Sequence, residues 1–239
     1  MSPYTSVTGV MVMGKDESRI KLARRAAFSW QRQTYLGRRE LLIVNDHPEL
    51  RVYPNGAPDG IREHIVPERL SLGALRNIGI EQAQCDYLVQ WDDDDFSHPN
   101  RLIWQAEHTQ PGMASTFRYE VHYDDTAGTM FVNDGASIRG CGFPGTMMWP
   151  RLLPNRFPEI GKREDMEFIE QLKHQRKLLV LENEPIMYCR IYHGDNTWGQ
   201  GHVMHRKAGW RDINPAEQQY LQQLIQQLKS LVETNAATI

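Results

Sequence analysis

Asp92, Asp93, Asp94 and Asp95 form an unbroken run of carboxylates at the end of the apolar stretch 87–91, followed by Phe96-Ser97-His98-Pro99. Four adjacent like charges are costly to order. Two unit charges about 4 Å apart repel by roughly 1 kcal/mol in water and roughly 4 kcal/mol at an effective dielectric of 20. Such a cluster is either splayed in water or built around a divalent cation. Mg²⁺ and Mn²⁺ favour oxygen ligands, and Mg²⁺ is typically held by one or two carboxylates together with substrate phosphates. An EF-hand calcium loop does not fit the spacing. With Asp92 at position one, Ser97 falls where glycine is needed and Ile103 where glutamate is needed. Other candidate groups are scattered along the chain. Asp46 ends the apolar run 40–44, Glu164-Asp165 begins a helical pattern, and His193 lies in the loop His193-Gly194-Asp195-Asn196-Thr197-Trp198. A single carboxylate beside an attacking hydroxyl serves as a general base.

The elements that must position these groups follow from periodicity. Residues 7–13 (VTGVMVM) and 40–44 (ELLIV) read as short buried strands, with a break at Gly14-Lys15-Asp16. Ser18 is suited to cap a helix with Ile20, Ala23, Ala27 and Trp30 inward. The Pro-, Gly- and Asn-bearing segment 47–60 reads as loop, and 62–66 as a third short strand. A helix follows over 71–84, then the strand 87–91 that delivers the acidic cluster. Pro99 is placed for the first turn of the next helix, with Leu102, Ile103 and Ala106 inward. This alternation through about residue 108 predicts a mostly parallel sheet with helices on both faces. Ligands of such sheets bind beyond the strand carboxyl ends, where Asp46 and the 92–95 cluster both fall.

The second half alternates differently. Phe117, Tyr119, Val121 and Tyr123 share one side of a period-two strand, and 130–132 can return as its hairpin partner. Residues 140–150 are rich in Gly and Pro. Residues 164–175 form a helix with Phe168, Ile169 and Leu172 inward, and 178–181 and 186–192 are further strands. The tail, 215–232, places Leu221, Leu224, Ile225, Leu228, Leu231 and Val232 at helical spacing among glutamines. A stripe of this kind packs on its own domain or on a second copy, and its glutamine face is a poor match to a membrane surface.

The 239 residues suit one large α/β domain or two small ones, and 40% hydrophobic content supports a packed core. A net charge of -3 lacks the basic excess of a dedicated nucleic-acid binder. Cys85, Cys141 and Cys189 are far apart and form no CxxC pair, which suggests a reducing compartment. No secretory leader is seen at 1–10 and no apolar run is long enough to span a bilayer.

Taken in order, residues 7–13, Ile43-Val44-Asn45-Asp46, Leu75-Arg76-Asn77-Ile78-Gly79-Ile80, Cys85-Asp86-Tyr87 leading into the four aspartates, Pro99-Asn100-Arg101-Leu102, and Glu164-Asp165 make a pattern. It resembles the family-2 glycosyltransferases of the GT-A fold, over roughly residues 7–200. The resemblance implies a Rossmann-like central sheet, a small antiparallel acceptor-side region and a C-terminal amphipathic helix. The glycosyltransferase domain would be 1–212, with a nucleotide-binding half to about 110 and an acceptor-side half from about 111, and 213–239 would be a helical tail. It implies transfer of a sugar from a nucleotide-diphosphate sugar to an acceptor hydroxyl, with inversion and with Mn²⁺ or Mg²⁺.

In that scheme Asp92-x-Asp94 is the DxD motif and Asp95 its extra acid. Asp94 holds the metal through the donor's diphosphate, Asp92 lies near ribose or metal, and Asp93 is beside it. Asp46 contacts the nucleobase, although the family's usual pair of acids is Asn45-Asp46 here. Arg76 lies near base and phosphates. Asp165 is the general base, with Glu164 its neighbour, and His193 serves the metal or the diphosphate. Read from residues alone, Asp46 is equally a turn cap and Glu164-Asp165 an acidic first helical turn. Trp149 and Trp198 offer sugar platforms or core packing. The acceptor is left open among glycan, lipid-linked, protein, small-molecule and modified nucleic-acid hydroxyls. The expected setting is cytoplasmic, with the membrane surface as a place to meet a lipid-linked acceptor, and the tail helix offers a route to a homodimer. Two other readings compete: a nucleotidyltransferase, poorly matched by Gly14-Lys15-Asp16-Glu17, and a non-catalytic GT-A-like binding module, which would have no need of Asp92, Asp94 and Asp165 together.

Overall fold

A computed structural model describes residues 5–14, 16–194, 196, 198–206 and 208–236, the last five of these by backbone alone. Residues 1–4, Lys15, Asp195, Thr197 and the Val232 side chain, all of which figure in the sequence reading, lie outside the described residues. In chain order the elements are β1 (Val7–Val12), α1 (Ser18–Gln31), β2 (Arg39–Asn45), β3 (Ile61–Ile65), α2 (Leu72–Gln82), β4 (Tyr87–Gln90), β5 (Phe96–Ser97), α3 (Arg101–His108), β6 (Ala114–Phe117), β7 (Tyr119–Asp124) and β8 (Thr129–Asp134). They continue with β9 (Phe143–Pro150), α4 (Glu164–His174), β10 (Leu178–Leu181), β11 (Tyr188–Tyr192), α5 (Gln200–Val203), β12 (Arg211–Asp212) and α6 (Pro215–Ala236).

The main sheet runs β10-β6-β9-β4-β1-β2-β3. Only β9 runs against its neighbours β4 and β6; the other pairings are parallel. The strands at its centre are apolar on both sides, as parallel strands covered by helices must be. From β1, Val7 and Met11 point into a core shared with Ala23, Ala27 and Trp30 of α1 and Leu102 of α3. Val10 points to the opposite face, against Ile80 of α2 and Phe168 and Ile169 of α4. Helices therefore cover both faces, as expected. Gly79 lets α2 approach β1 closely: a Cβ there would lie 2.3 Å from Val10 Cγ1.

A second sheet, β12-β8-β7-β11-β5, stands against the first. Three of its pairings are antiparallel, but β11 runs parallel to β7, so this region is mixed rather than purely antiparallel. Its outer face carries Val121, Val132, Cys189 and Ile191. The α6 residues Leu221, Ile225 and Leu228 cover them. Leu221, Ile225 and Leu228 of the tail's stripe are thus buried on its own domain, whereas Leu231 is exposed.

Four local expectations change. Ser18 is the first helical residue of α1 rather than its cap; Glu17 precedes it and makes no capping hydrogen bond. Pro99 stands outside α3, whose N-cap is Asn100, because the Pro99 carbonyl accepts from Thr34 N–H at 2.9 Å. The run 117–123 is not one strand. Phe117 closes β6 in the main sheet and Tyr119 opens β7 in the second, with the chain crossing over at Arg118. The Gly- and Pro-rich segment contains a full strand, β9, which together with β6 and β10 carries the second half of the chain into the main sheet.

Candidate active site

The strands β1, β2 and β4 are parallel neighbours and end on one edge of the sheet. The acidic run leaves β4 at this edge and bends at Asp93 and Asp94. The side chain of Asp92 is 26% exposed and that of Asp94 15%, whereas Asp93 is 5% exposed. Asp95 is likewise buried. Asp92 and Asp94 thus face outward, in the register of a DxD pair, and Asp93 and Asp95 face the protein.

The inward pair is fully engaged. Asp93 accepts from Gly14 N–H at 2.8 Å and from Arg19 Nε at 3.0 Å, and its second oxygen pairs with Arg19 Nη2. Arg19 comes from the first turn of α1. Burial opposes its charge, but Asp93 and Asp94 hold its guanidinium above its ordinary value. Asp95 accepts from Tyr188 Oη at 2.5 Å and from Ile191 N–H at 2.9 Å, tying the cluster to β11. Burial, with Asp94 and Asp92 adding, pushes the Asp95 carboxyl well above the usual range. Beneath it Arg101 is fully buried, donating from Nη1 to Ser97 Oγ at 2.8 Å and stacking over Trp91 and Tyr188. Burial lowers its pKa to about 10. It also donates from Nη2 to Gln90 O at 3.2 Å, bracing the end of β4.

Asp92 accepts from Gln90 Nε2 at 3.1 Å and lies 3.5 Å from Arg76 Nη2. Arg76 is buried and donates from Nε to Glu164 Oε1 at 3.0 Å. One guanidinium therefore joins the acidic strand end to the first turn of α4. Burial pushes the Glu164 carboxyl up, with Arg76 pulling the other way. Asp165, the next residue, is half-buried and accepts from Met166 N–H at 2.7 Å. Its charge acts on Arg76 as well. The turn into α4 is sharp: Arg163 has φ 69°, a left-handed conformation that costs a non-glycine residue about 1 kcal/mol or more. Opposite, Gly145 lets β9 pack closely against the cluster, since a Cβ there would lie 2.6 Å from Tyr188 Oη and 3.0 Å from Asp92 Oδ2.

Asp94 Oδ2 receives Arg19 Nη1 at 3.0 Å, His193 Nε2 at 3.2 Å and Asn196 Nδ2 at 3.3 Å. Although burial opposes its charge, the His193 hydrogen bond and Arg19 hold its carboxyl well below the usual range. Asp94 and His193, distant in sequence, are thus brought together at one corner. Among the described residues no group of three His, Cys, Asp or Glu converges to hold an ion by itself. One carboxylate plus one imidazole does fit a cation whose remaining ligands are phosphate oxygens and water.

Asp46 stands apart from this corner. It accepts from Leu70 N–H at 3.1 Å, lies 3.1 Å from His47 Nε2 and anchors the loop after β2. Asn45 turns inward to Leu50 O and Glu63. Trp149 is core, packed on Phe157 and Phe168, and offers no platform. Trp198 is partly exposed, stacked on His202 with Lys162 Nζ 4.7 Å from its ring centroid. Sequence reasoning missed Arg19, Tyr188 and Gln90. Arg19 had a signal: it shares a helical face with Ala23, Ala26 and Trp30, where a charge needs a buried partner.

Sheet order, the reversed β9 and the acidic end of β4 define the GT-A glycosyltransferase fold. The chain is similar to the crystal structure of residues 1–349 of S. aureus TarS in complex with UDP-GlcNAc, with a TM-score of 0.59 and 14% identity over 92% of this chain and 65% of that one. The UDP complex of the same protein gives a TM-score of 0.56 and 15% identity over 80% of this chain and 61% of that one. TarS is a family-2 glycosyltransferase, in keeping with the resemblance seen in the motifs. The chain spans about three-fifths of the length of that structure. No protein-family model matches the chain, and no curated protein matches it in sequence.

Proposed function

We propose that this chain transfers a sugar from a nucleotide-diphosphate sugar to an acceptor hydroxyl, with inversion and with Mn²⁺ or Mg²⁺ bound at the Asp94–His193 corner. The observation that supports the reading is the Asp92–Arg76–Glu164 bridge, which ties the acidic strand end to the first turn of α4, the turn that carries Asp165. A donor lying along Asp92 and Asp94 presents its diphosphate to the edge of the sheet. The metal, when bound, neutralises charge on that leaving diphosphate. Asp165 takes the proton of the acceptor hydroxyl as it attacks from the α4 side. The start of α4 favours its ionised form. Inversion in one displacement requires base and leaving group on opposite sides of the sugar, and two separate elements supply them. Trp198 offers a face for the acceptor or donor ring. Asp46 and its loop take the nucleobase.

Uridine donors are the first to try, because the similar TarS structures hold UDP and UDP-GlcNAc. The acceptor class is the wider question. In this reading the chain acts in the cytoplasm and visits a membrane surface if its acceptor is lipid-linked; no helix among the described residues is long and apolar enough to cross a membrane. Pairing of two copies would use the outer face of α6, where Tyr220 and Leu231 are exposed. The test is a hydrolysis and transfer screen across nucleotide-sugars with Mn²⁺, run beside Asp94→Ala. Turnover with one donor that disappears in the variant is expected. Turnover surviving in a folded Asp94→Ala protein would remove the DxD pair from the chemistry.

A further inference from the structure

Among the described residues Arg19 is the cation that meets the side chains of both candidate metal ligands, and its placement is constrained from three sides. It lies in the first turn of α1, where the helix itself favours anions, and on the helix's buried face. Nε and Nη2 grip both oxygens of Asp93, the geometry in which arginine binds carboxylate most firmly. Asp93 is fixed in turn by Gly14 N–H. That anchor leaves Nη1 directed at Asp94 Oδ2, 3.0 Å away, and His193 Nε2, 3.3 Å away, while these two atoms lie 3.2 Å from each other. A divalent ion shared by them would need each at about 2.0–2.2 Å. It would draw on the same Oδ2 that Arg19 meets and on an imidazole nitrogen 3.3 Å from Arg19 Nη1, next to a like charge. Arg19 is 8% exposed, so little of it reaches water.

We infer that Arg19 is a resident cation that holds Asp94 and His193 in place and excludes a free metal ion, so that metal enters only together with a diphosphate. The inference rests on the proposed donor site. A diphosphate lying against Asp94 supplies new acceptors for Nη1 and the remaining ligands for the metal. Arg19 passes from carboxylate to phosphate, and the vacated Oδ2 and Nε2 become ligands. Metal and nucleotide each tighten the other's binding, as linkage requires.

The test is Mn²⁺ titration followed by electron paramagnetic resonance, which reports free Mn²⁺ without turnover. It uses the full chain, Arg19→Gln and the double variant Arg19→Gln/Asp93→Asn, each with and without UDP. The double variant replaces the buried ion pair with neutral amides, so that no unpaired carboxylate is left to bind metal or unfold the protein. Thermal melts check folding. Weak Mn²⁺ binding by the native chain, tightened at least about tenfold by UDP, is expected, with both variants binding Mn²⁺ at least about tenfold tighter than the native chain when UDP is absent. Variants no tighter than the native chain, while UDP still recruits Mn²⁺ to it, would overturn the inference and leave the glycosyltransferase reading standing. Tightening in Arg19→Gln that vanishes in the double variant would assign the metal to Asp93 and overturn it too. No Mn²⁺ bound by any form even with UDP would sink both.

Discussion

Asp165 and Asp94 stand on different elements, so their roles separate cleanly by substitution. Asp165→Asn is expected to bind UDP within about threefold of the native chain and to lose roughly 10²- to 10⁴-fold in transfer rate, the span of one general base. Calorimetry and initial rates measure the two; unchanged transfer would move the base elsewhere. Arg76→Met removes the bridge between Asp92 and Glu164 and leaves a buried carboxylate alone. A loss of about 3–5 kcal/mol in urea unfolding is expected. Adding Glu164→Gln should recover much of it, and an equal loss in the double variant would show that the ion pair is not the cause. At this scale the sequence displayed the acidic run but not its division of labour. Asp92 and Asp94 are the more exposed of the four, whereas the partners that claim Asp93 and Asp95, namely Arg19 and Tyr188, lie 74 and 93 positions away.

The elements were legible wherever one periodicity ran unbroken. The strands β1, β2 and β4 and the helices α2, α4 and α6 fall within a few residues of where apolar spacing placed them. β9 was hidden because Pro144 and Gly145 interrupt it, and both sit where its register with β6 shifts, the position at which a strand tolerates them. The β6–β7 break was hidden because alternation continues across a change of sheet. α6 is held by Ile225 and its neighbours in the stripe; Ile225→Ala should cost about 2–5 kcal/mol by urea melt.

A pH effect belongs to the same junction. His98 Nδ1 accepts from Asn100 N–H, and Nε2 lies 3.1 Å from Tyr220 Oη on α6. Burial lowers its pKa. The folded state therefore binds fewer protons than the unfolded state, and stability present above the ordinary histidine value is lost as pH falls toward the lowered one. His98→Asn keeps an acceptor for Asn100 and removes the titration. Its unfolding free energy should fall less than that of the native chain between pH 7.5 and 5.5; equal slopes would clear His98 of the effect.

At the scale of the whole molecule, the fold joins the acidic end of β4 to His193 and, through Arg76, to the start of α4. The sequence announced this through motif order, which is a record of strand ends. It could not announce how the second sheet closes on the first, because that depends on pairings such as β11 with β5 and β7 between segments far apart in the chain. Nor did it show that the tail would seal its own sheet.

Thermal melting with UDP and Mn²⁺, separately and together, on the native chain and Asp94→Ala, tests the central assignment most directly. UDP with Mn²⁺ at about a hundred times the dissociation constant should stabilise the native chain by about 2.7 kcal/mol. Neither alone should approach that, and Asp94→Ala should melt normally yet gain nothing from the pair. Equal stabilisation of the variant, or none of the native chain with any nucleoside diphosphate, would contradict a diphosphate site at the tip of β4.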